Sequence, residues 1–385
     1  MKTVVTAARL LTPTEIIDQP VLVIEDERIA ALGPREQLAI PTNARHHDFP
    51  GKILAPGFID IHIHGGSGHD VMELDTSALA AIERGMFKHG VTSYLPTTVT
   101  APLPDTLRSL EHLGKAIQAN HRTPGRSRPL GIHLEGPFIS HAKRGVHPPE
   151  NLIPPSPELL RQLHEASGGT VRMLTIAPEL DGAVQTIAEA VRLGIQSSLG
   201  HSNATFAQAN AGIDAGARNA THTFNAMRSL DHREPGILGA VLSDDRVTAD
   251  LIADGLHVAP VVIKLFLRAK GVDRAVLITD AISATGMPDG KYKLGGFEVE
   301  VKGDRCDLEG KLAGSVLTLD RAVRNVMRFV PLTLEDAVRL VTLNPARLLG
   351  MNETYGTLGT GGPADVVVLT PSGEVVATMA DGQFA

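Results

Sequence analysis

The sequence has few of the features that mark secreted, membrane or nucleic-acid-binding proteins. Its 385 residues include one cysteine, Cys306, which excludes a disulfide framework within the chain and suits a reducing compartment. No stretch approaches the roughly 20 apolar residues of a membrane-spanning helix, and the N-terminus lacks the apolar core of a signal peptide. The net charge is −7 without a long basic run, which argues against nucleic acid as the main partner. We therefore expect a cytoplasmic protein that binds neither membrane nor nucleic acid.

Both ends of the chain carry β-patterns, whereas the middle alternates between strand and helix patterns. Short apolar runs near the ends lie at residues 21–24, 28–33, 364–369 and 374–377. The first two flank a turn-like Glu25-Asp26-Glu27 and predict a hairpin. We expect a small β-sandwich domain formed by both termini, residues 1–53 and 346–385, with a larger domain inserted at residues 54–345.

Eight strand-like segments alternate with helical patterns in the inserted region. They are residues 59–64, 91–98, 129–135, 171–177, 195–201, 218–224, 248–253 and 274–280. This alternation predicts an α/β fold of the (β/α)8 TIM-barrel type. One strand fewer would leave a doubly wound open sheet instead. A strand-like run at residues 297–301 breaks the rhythm and predicts a β insertion near residues 290–311.

Two of the connecting segments, residues 76–89 and 181–193, have helical periodicity. The apolar side chains predicted to share one face are Leu79, Ile82 and Met86 in the first and Val184, Ile187, Ala188 and Val191 in the second. Asp181 and Gly194 are placed to begin and end the second helix.

The first strand of the inserted region, within residues 58–66, has two different faces. Isoleucines alternate with Asp60, His62 and His64, so both histidines point to the same side. Two neutral imidazoles one strand repeat apart are well placed to hold a divalent cation. A solvent-facing pair on an edge strand would be the simpler explanation if this motif stood alone.

Four later strands also end in side chains that bind metals: Glu135, His201, His222 and Asp280. Each has a simpler explanation when taken alone: His222 as a core histidine, Glu135 as the start of a loop, Asp280 as a cap. Because the carboxyl ends of barrel strands meet at one mouth, their joint occurrence predicts a metal site. Imidazole and carboxylate ligands suit zinc or ferrous iron.

A metal site of this kind supports hydrolysis. A bound cation lowers the pKa of its water towards about 7, and a neighbouring carboxylate can take that proton and return it to a leaving group. Asp280 is the predicted acid/base because it comes from a different strand than the main ligands. The arrangement suits cleavage of an amide or a similar acyl group.

Five motifs extend the pattern beyond the metal site. They are His-Leu-Glu-Gly-Pro-Phe at 133–138, Leu-Gly-His-Ser-Asn-Ala-Thr at 199–205, Thr-His-Thr-Phe-Asn-Ala-Met at 221–227, Asp-Gly-Leu-His at 254–257 and Leu-Ala-Gly-Ser at 312–315. In this order, the set resembles the amidohydrolase superfamily and, within it, the N-acetylglucosamine-6-phosphate deacetylase family. The resemblance runs through most of the chain.

The resemblance implies a homodimeric enzyme of amino-sugar catabolism. Its substrate would be the sugar phosphate N-acetylglucosamine 6-phosphate, cleaved to glucosamine 6-phosphate and acetate. Glu135, His201 and His222 would form the main metal site, and Asp280 would act as general base and then as general acid.

The resemblance also implies roles in substrate binding. His147 would contact the sugar and orient the acyl group, Asn225 and Ala226 would offer backbone donors to the phosphate, Arg233 would pair with the phosphate, His257 would help bind the sugar phosphate, and Leu312, Ala313 and Gly314 would close over the substrate. A planar guanidinium suits a phosphate. Without the resemblance, Arg233 would be read as a solvated loop charge between Asp231 and Glu234.

The number of metal ions depends on the first strand. Some members of the family replace the first-strand histidines and use one metal, whereas His62 and His64 leave room for a second. The fourth strand has no bridging lysine, so Glu135 would have to bridge two ions. We predict one or two divalent cations per subunit, zinc or iron, in a site able to hold two.

The sequence pattern has two alternative explanations. Another amidohydrolase, such as a cyclic-amide hydrolase or an adenine-type deaminase, is disfavoured by the missing lysine and by the loop from Asn225 to Arg233, which favours a phosphorylated substrate. A non-catalytic scaffold on the same barrel would lack metal or base residues, yet every expected one is present.

Overall fold

The computed structural model describes residues 2–12, 15–119, 123–294, 297–308 and 310–385. Within these ranges, no helix combines the length and hydropathy that a membrane crossing requires.

The elements are numbered along the chain. The strands are β1 (Lys2–Leu11), β2 (Ile16–Asp18), β3 (Pro20–Glu25), β4 (Arg28–Pro34), β5 (Arg45–Pro56), β6 (Phe58–Ile63), β7 (Gly65–Gly66), β8 (His69–Asp70), β9 (Val91–Thr98), β10 (Arg128–Pro129), β11 (Ile132–Glu135), β12 (Val171–Ile176), β13 (Gln196–Leu199), β14 (Asn219–Ala220), β15 (Thr248–Ile252), β16 (Ala275–Ile278), β17 (Gly290–Leu294), β18 (Phe297–Lys302), β19 (Arg305–Leu308), β20 (Lys311–Leu312), β21 (Val366–Leu369), β22 (Val375–Ala380) and β23 (Gln383–Phe384). The helices are α1 (Thr76–Phe87), α2 (Leu103–Ala119), α3 (Pro157–Ala166), α4 (Ala183–Arg192), α5 (Phe206–Ala215), α6 (Gly236–Ser243), α7 (Pro260–Lys270), α8 (Leu319–Phe329), α9 (Leu334–Arg339) and α10 (Leu343–Leu348), and short 3-10 turns lie at His141–Lys143, Pro149–Asn151 and Val272–Arg274.

Strands from both termini share one sheet, in the order β23-β22-β21-β5-β1-β3-β4, with β2 paired to β1. Strand β5 joins the two ends because it pairs parallel with β1 and antiparallel with β21. This sheet has an apolar core of its own, and the hairpin predicted in this region is β3 and β4. The small β domain built from both termini is therefore confirmed, while the boundaries at residues 53 and 345 stay predictions.

A buried ion-pair group ties this sheet to the large domain. Arg128 on β10 places Nη2 2.5 Å from Asp381 Oδ2 and Nη1 3.7 Å from Asp365 Oδ2. Burial alone would lower the pKa of the guanidinium, but the two carboxylates raise it above its usual value. The guanidinium of Arg128 is thus held between the large domain and the C-terminal part of the small β domain.

Eight parallel strands, β6, β9, β11, β12, β13, β14, β15 and β16, follow one another around a barrel. The ring closes where Ile63 bridges Ala281 and where the Asp280 N–H donates to His62 O at 3.0 Å. Helices connect most successive strands, and the barrel wall and helices share the main apolar core. The predicted (β/α)8 barrel is confirmed.

The strands carrying the later metal-binding residues are shorter than predicted. Strand β14 covers two residues of the predicted 218–224, and β16 ends two residues before Asp280. The side chains at 201, 222 and 280 lie in the turns that follow the strands, where φ is positive. A period of two cannot show where a strand bends, so its ends were overestimated.

Helix α1 agrees with its predicted face, and α4 does not. Leu79, Ile82 and Met86 are buried, as predicted. In α4, the buried apolar face consists of Ala183, Ile187 and Ala190, whereas Val184 and Val191 are 39% and 54% exposed. Val184 and Val191 lie one position after buried residues, which is a rotation of about 100° around the helix. The predicted face was therefore wrong except at Ile187, which is buried. The helix also begins at Ala183 rather than Asp181.

The predicted β insertion is a four-stranded antiparallel sheet, β17-β18-β19-β20. Residues 295, 296 and 309 of the insertion lie outside the described ranges. Its inner face packs Val299, Val301 and Cys306 against Ile282 and Ala284, which follow β16. The sheet is therefore anchored next to the end of the eighth barrel strand.

Candidate metal centre

The predicted metal-binding side chains meet at the carboxyl end of the barrel. His62 Nε2 and His64 Nε2 are 3.1 Å apart, and they lie 3.4 and 3.2 Å from Asp280 Oδ1. Glu135 Oε1 is 3.1 Å from His201 Nε2. These residues come from distant parts of the sequence and are all buried.

Glu135 lies between two groups of nitrogen donors. Its Oε1 is also 3.0 Å from His222 Nε2, while its Oε2 is 3.2 Å from His64 Nε2. A single carboxylate thus contacts histidines from β6 and from the turns after β13 and β14. This position is the one a bridging carboxylate would need if two ions were bound.

Three of these residues have an unusual backbone. His201, His222 and Asp280 take φ values of 46°, 30° and 51°, in the left-handed region that side chains with a Cβ rarely adopt. Hydrogen bonds support these turns: the Asp250 carboxylate accepts from the backbone N–H of His222, and His62 O accepts from Asp280 N. The strained turns aim all three side chains into the mouth.

Hydrogen bonds at Nδ1 fix the tautomer of two histidines. His64 Nδ1 is 2.9 Å from Thr97 O, and His201 Nδ1 is 2.9 Å from Lys143 O. Because a carbonyl oxygen only accepts, Nδ1 carries the proton in the neutral ring and Nε2 presents a lone pair. Both imidazoles are therefore prepared to ligate a cation through Nε2.

His147 has the opposite tautomer. Its Nδ1 accepts a hydrogen bond from the backbone N–H of Thr100 at 3.3 Å, and Thr100 Oγ1 is 2.8 Å away. The neutral ring must then carry its proton on Nε2, which lies 3.4 Å from Glu135 Oε2. Although His147 lies within ligand distance of Glu135 and His201, it is set up as a hydrogen-bond donor and not as a metal ligand.

The charges of the clustered side chains favour a bound cation. Burial raises the pKa of Glu135, but the charge of His62 and hydrogen bonds from His147 and His201 outweigh it and hold the pKa well below its usual value. Against the same effect of burial, His64 and His62 hold the pKa of Asp280 at about 2. Burial lowers the pKa of His222, yet Glu135 raises it to about 9. Two ionised carboxylates thus draw positive charge into a buried cluster.

The donor set fits a divalent cation. Imidazole Nε2 atoms and carboxylate oxygens, all buried, lie about as close to one another as the ligands of one or two shared ions, and without a cation they need protons to avoid repulsion. One group within ligand distance is His62, His64 and Asp280, and a second is Glu135, His147 and His201. In the second group His147 offers a donor N–H, whereas His222 Nε2 lies 3.0 Å from Glu135 Oε1. Nitrogen and oxygen donors of this type suit both zinc and iron.

A cavity of about 300 Å³ opens above the cluster. Its lining contains the metal-binding residues His64, Glu135, His201, His222 and Asp280, and the predicted substrate residues His147, Asn225, Ala226, His257, Leu312, Ala313 and Gly314. His257 donates from Nδ1 to Asp254 Oδ2 at 2.6 Å, which leaves its Nε2 for a ligand. Arg233 does not line the cavity and lies on an exposed loop.

The backbone donors near Asn225 are fewer than the sequence suggests. The Asn225 N–H donates to His222 O at 2.9 Å. The neighbouring Ala226 has a positive φ. Its N–H donates to no backbone acceptor among the described turns and loops. Of the two, Ala226 is therefore the one with a free backbone donor beside the cavity.

Gly314 allows the segment after β20 to approach the barrel. Its φ is 60°, and a Cβ at this position would lie 2.3 Å from Ile282 Cγ2. Ser315 N donates to Asp280 O at 2.8 Å, so the segment from Leu312 to Gly314 is tied to the end of the eighth strand. Only glycine fits this close passage.

The residues that support the cluster were not identified from the sequence. Thr97, Thr100 and Lys143 contact the histidines through backbone atoms, which any residue type provides, so no motif marks them; Thr100 adds its hydroxyl. Asp250 lies inside β15 and forms no recognisable spacing with His222. The sequence signal that could have pointed to Asp250 is the presence of an aspartate inside an otherwise apolar strand pattern.

Comparisons with known proteins agree with this geometry. Residues 53–385 match the profile of the amidohydrolase family. The chain is 40% identical over 386 residues to N-acetylgalactosamine-6-phosphate deacetylase of Escherichia coli O157:H7, with all of both chains covered. It is 34% identical to N-acetylglucosamine-6-phosphate deacetylase of Bacillus subtilis (strain 168), over 98% of this chain and 95% of that protein. A mutant N-acetyl-D-glucosamine-6-phosphate deacetylase from Mycobacterium smegmatis, solved in complex with N-acetyl-D-glucosamine-6-phosphate, superimposes with a TM-score of 0.92 at 37% identity over 100% of this chain and 99% of that one.

Proposed function

The chain belongs to the amidohydrolase family, and we propose that it hydrolyses the N-acetyl group of N-acetylglucosamine 6-phosphate to give glucosamine 6-phosphate and acetate. The observation that carries the proposal is the buried cluster of histidines and carboxylates beneath a cavity lined by His147, Ala226 and His257. Both an amide-cleaving site and polar groups for a sugar phosphate are thus in one cavity.

Glu135, His201 and His222 would hold the main cation, and His62 and His64 would complete a second position with Glu135 as the bridge. A bound divalent cation supplies Lewis acidity, which activates water near neutral pH and polarises a carbonyl. One or two ions per subunit, zinc or iron, fit these donors. Metal analysis of the purified protein distinguishes these cases.

Asp280 is the proposed acid/base. Its Oδ1 faces His62 and His64, and its low pKa keeps it ionised at neutral pH. The carboxylate would take a proton from the water that attacks the amide carbonyl and return it to the nitrogen of the leaving amine. This transfer balances the reaction, because the water supplies an oxygen to acetate and a proton to glucosamine 6-phosphate.

The remaining residues would bind and orient the substrate. His147 has its proton on Nε2, so it can donate to the acyl oxygen or a sugar hydroxyl beside Glu135. The Ala226 N–H and the His257 ring would contact the phosphate, while Asn225 shapes the same turn. Leu312, Ala313 and Gly314 would cover the sugar.

Arg233 is proposed to pair with the phosphate despite its position outside the cavity lining. The flanking carboxylates do not hold its guanidinium: Asp231 accepts from the Arg233 backbone N–H at 2.8 Å, and Glu234 accepts from Phe206 N and Gly236 N. Within the described residues, no carboxylate lies within 4.0 Å of the guanidinium. The loop that follows Asn225 and Ala226 of the cavity lining therefore carries a cation without a carboxylate partner among the described residues.

Replacing Arg233 by alanine is expected to raise KM for the phosphorylated sugar about tenfold or more with little change in kcat, since a contact made equally in the ground and transition states affects binding alone. Steady-state kinetics measure this. Arg108→Ala, an exposed arginine on α2, is the matched control. An unchanged KM in Arg233→Ala would remove this residue from the phosphate site.

The C4 epimer is a second candidate substrate, since the N-acetylgalactosamine-6-phosphate deacetylase of E. coli O157:H7 is 40% identical over the whole chain. The test is acetate release from three sugars: N-acetylglucosamine 6-phosphate, N-acetylgalactosamine 6-phosphate and unphosphorylated N-acetylglucosamine. We expect the highest kcat/KM with the first and very slow turnover of the third. A higher kcat/KM for the galactose epimer would reassign the substrate, and equal turnover of the unphosphorylated sugar would contradict the phosphate site.

We also propose a cytoplasmic homodimer. Leu256, Val261 and Leu265 are 43%, 66% and 56% exposed and lie beside His257 or on the exposed side of α7. Apolar side chains in this position suit an interface with a second copy. Sedimentation analysis decides between dimer and monomer.

A further inference from the structure

A chain of buried hydrogen bonds crosses the barrel beneath the candidate metal centre. Asn219 Nδ2 lies 2.6 Å from Asp250 Oδ2 and 2.9 Å from Ser198 Oγ. Ser198 Oγ is 2.5 Å from Thr221 Oγ1, which is 2.8 Å from Thr175 Oγ1. All of these residues are fully buried.

His133 completes this chain of hydrogen bonds at its other end. Its Nε2 is 2.8 Å from Thr175 Oγ1, and its Nδ1 is 2.9 Å from Ile61 O. Since β9 lies between β6 and β11 in the barrel, the bond from His133 to Ile61 links two strands that do not pair. We call the series Asn219, Ser198, Thr221, Thr175 and His133 the floor relay.

The direction of the hydrogen bonds in the floor relay is determined from the His133 end. The Ile61 carbonyl only accepts, so His133 Nδ1 carries the proton and Nε2 of the neutral ring accepts from Thr175. Because each hydroxyl has one proton, Thr221 then donates to Thr175 and Ser198 donates to Thr221. The Asn219 amide nitrogen donates to Ser198, which agrees with this order.

The floor relay touches the candidate metal centre at two points. Asp250, which accepts from Asn219, also accepts from the backbone N–H of His222. The His133 ring lies edge-on against His62, with centroids 4.8 Å apart and planes at 76°. His133 is also two residues before Glu135 on β11, and Ile61 adjoins His62 on β6.

We propose that the floor relay is a positioning network for the metal centre, with His133 as a spacer that does not ligate the metal. Both nitrogens of His133 are committed to the relay, so neither offers a lone pair to a cation. The bond to Ile61 sets the separation between the strand with His62 and His64 and the strand with Glu135. The proposal rests on the metal centre of the proposed function, because the floor relay would act on the cation through the side chains that hold it.

Two neighbouring serines on β13 give a matched test. Ser198 is in the relay, whereas the Ser197 hydroxyl is equally buried and has no hydrogen-bond partner among the described residues. In metal-stripped full-length protein, Co²⁺ affinity is measured by competition with a chelator, together with the Co²⁺ absorption spectrum. We expect Ser198→Ala to bind Co²⁺ about 10- to 100-fold more weakly, as for other partners of metal ligands, with a changed spectrum. Ser197→Ala should match the wild type.

Thr175 provides a rescue test. Thr175→Val removes the donor to His133 at nearly constant shape and should weaken Co²⁺ binding, whereas Thr175→Ser keeps the hydroxyl and should restore it. At saturating metal, KM should stay unchanged while kcat falls. Thermal melts verify folding, and if Thr175→Val does not fold, Ser198→Ala decides.

Wild-type Co²⁺ affinity and spectrum in both Ser198→Ala and Thr175→Val would overturn the positioning role. Equal weakening in Ser197→Ala would also overturn it, because the effect would then come from general loss of packing. Wild-type turnover of N-acetylglucosamine 6-phosphate is measured separately. An inactive wild type with normal Co²⁺ binding would count against the proposed function. The comparison of Co²⁺ affinities among the variants would still test the floor relay.

Discussion

Replacing Asp280 by asparagine is expected to remove most turnover while the protein still binds its metal. The amide keeps the shape of the carboxylate and an oxygen near His62 and His64, but it cannot accept a proton from water or return one to the leaving nitrogen. Loss of a general acid–base typically costs 10²- to 10⁴-fold in rate. We therefore expect kcat to fall about 10³-fold, with KM within a few-fold of the wild type.

The measurement is kcat and KM for acetate release, beside metal content per subunit. Asp245→Asn is the control, because Asp245 precedes β15 at the opposite end of the barrel and is 82% exposed. Near-wild-type kcat in Asp280→Asn would exclude Asp280 as the acid/base. A parallel loss of metal and activity would instead make Asp280 primarily a ligand.

The second large effect is expected at Glu135. Glutamine removes the negative charge from the side chain that lies between His64 on one side and His201 and His222 on the other. Its oxygens are 3.0 to 3.2 Å from the Nε2 atoms of these three histidines. Without that charge the cluster loses both a ligand and the attraction that holds positive charge in a buried site. Metal content should fall below a tenth of the wild type after dialysis, with activity down at least 10³-fold.

Elemental analysis and acetate release measure these two losses on the same samples. Glu158→Gln, on α3 with a 75% exposed side chain, should retain full metal and activity. Full metal occupancy in Glu135→Gln would contradict the bridging position.

The fold was predictable because it depends on a pattern repeated many times. Eight apolar segments separated by helical ones leave few alternatives, and an error of two residues at one strand does not change the barrel. The β domain followed from the strands at both ends. The predicted face of α4 was wrong because Val184 and Val191 are apolar and lie at helical spacing, yet they face solvent.

The candidate site was predictable as far as residue type carries its chemistry. Histidines and carboxylates at strand ends mark His62, His64, Glu135, His201 and Asp280. What the sequence does not contain is the direction of hydrogen bonds. The tautomer of His147 depends on a backbone N–H of Thr100, and that of His133 on the carbonyl of Ile61 and on a chain of three hydroxyls. Both depend on the tertiary structure, so a histidine in a motif cannot be assigned as ligand or donor from its position alone.

The most direct test of metal-dependent deacetylation is acetate release from N-acetylglucosamine 6-phosphate before chelation, after chelation and after the metal is restored. The cluster around Glu135 predicts rapid turnover, loss of nearly all activity on chelation, and recovery with zinc or iron. Turnover that persists after the metal has been shown to be absent would contradict the role assigned to the cluster.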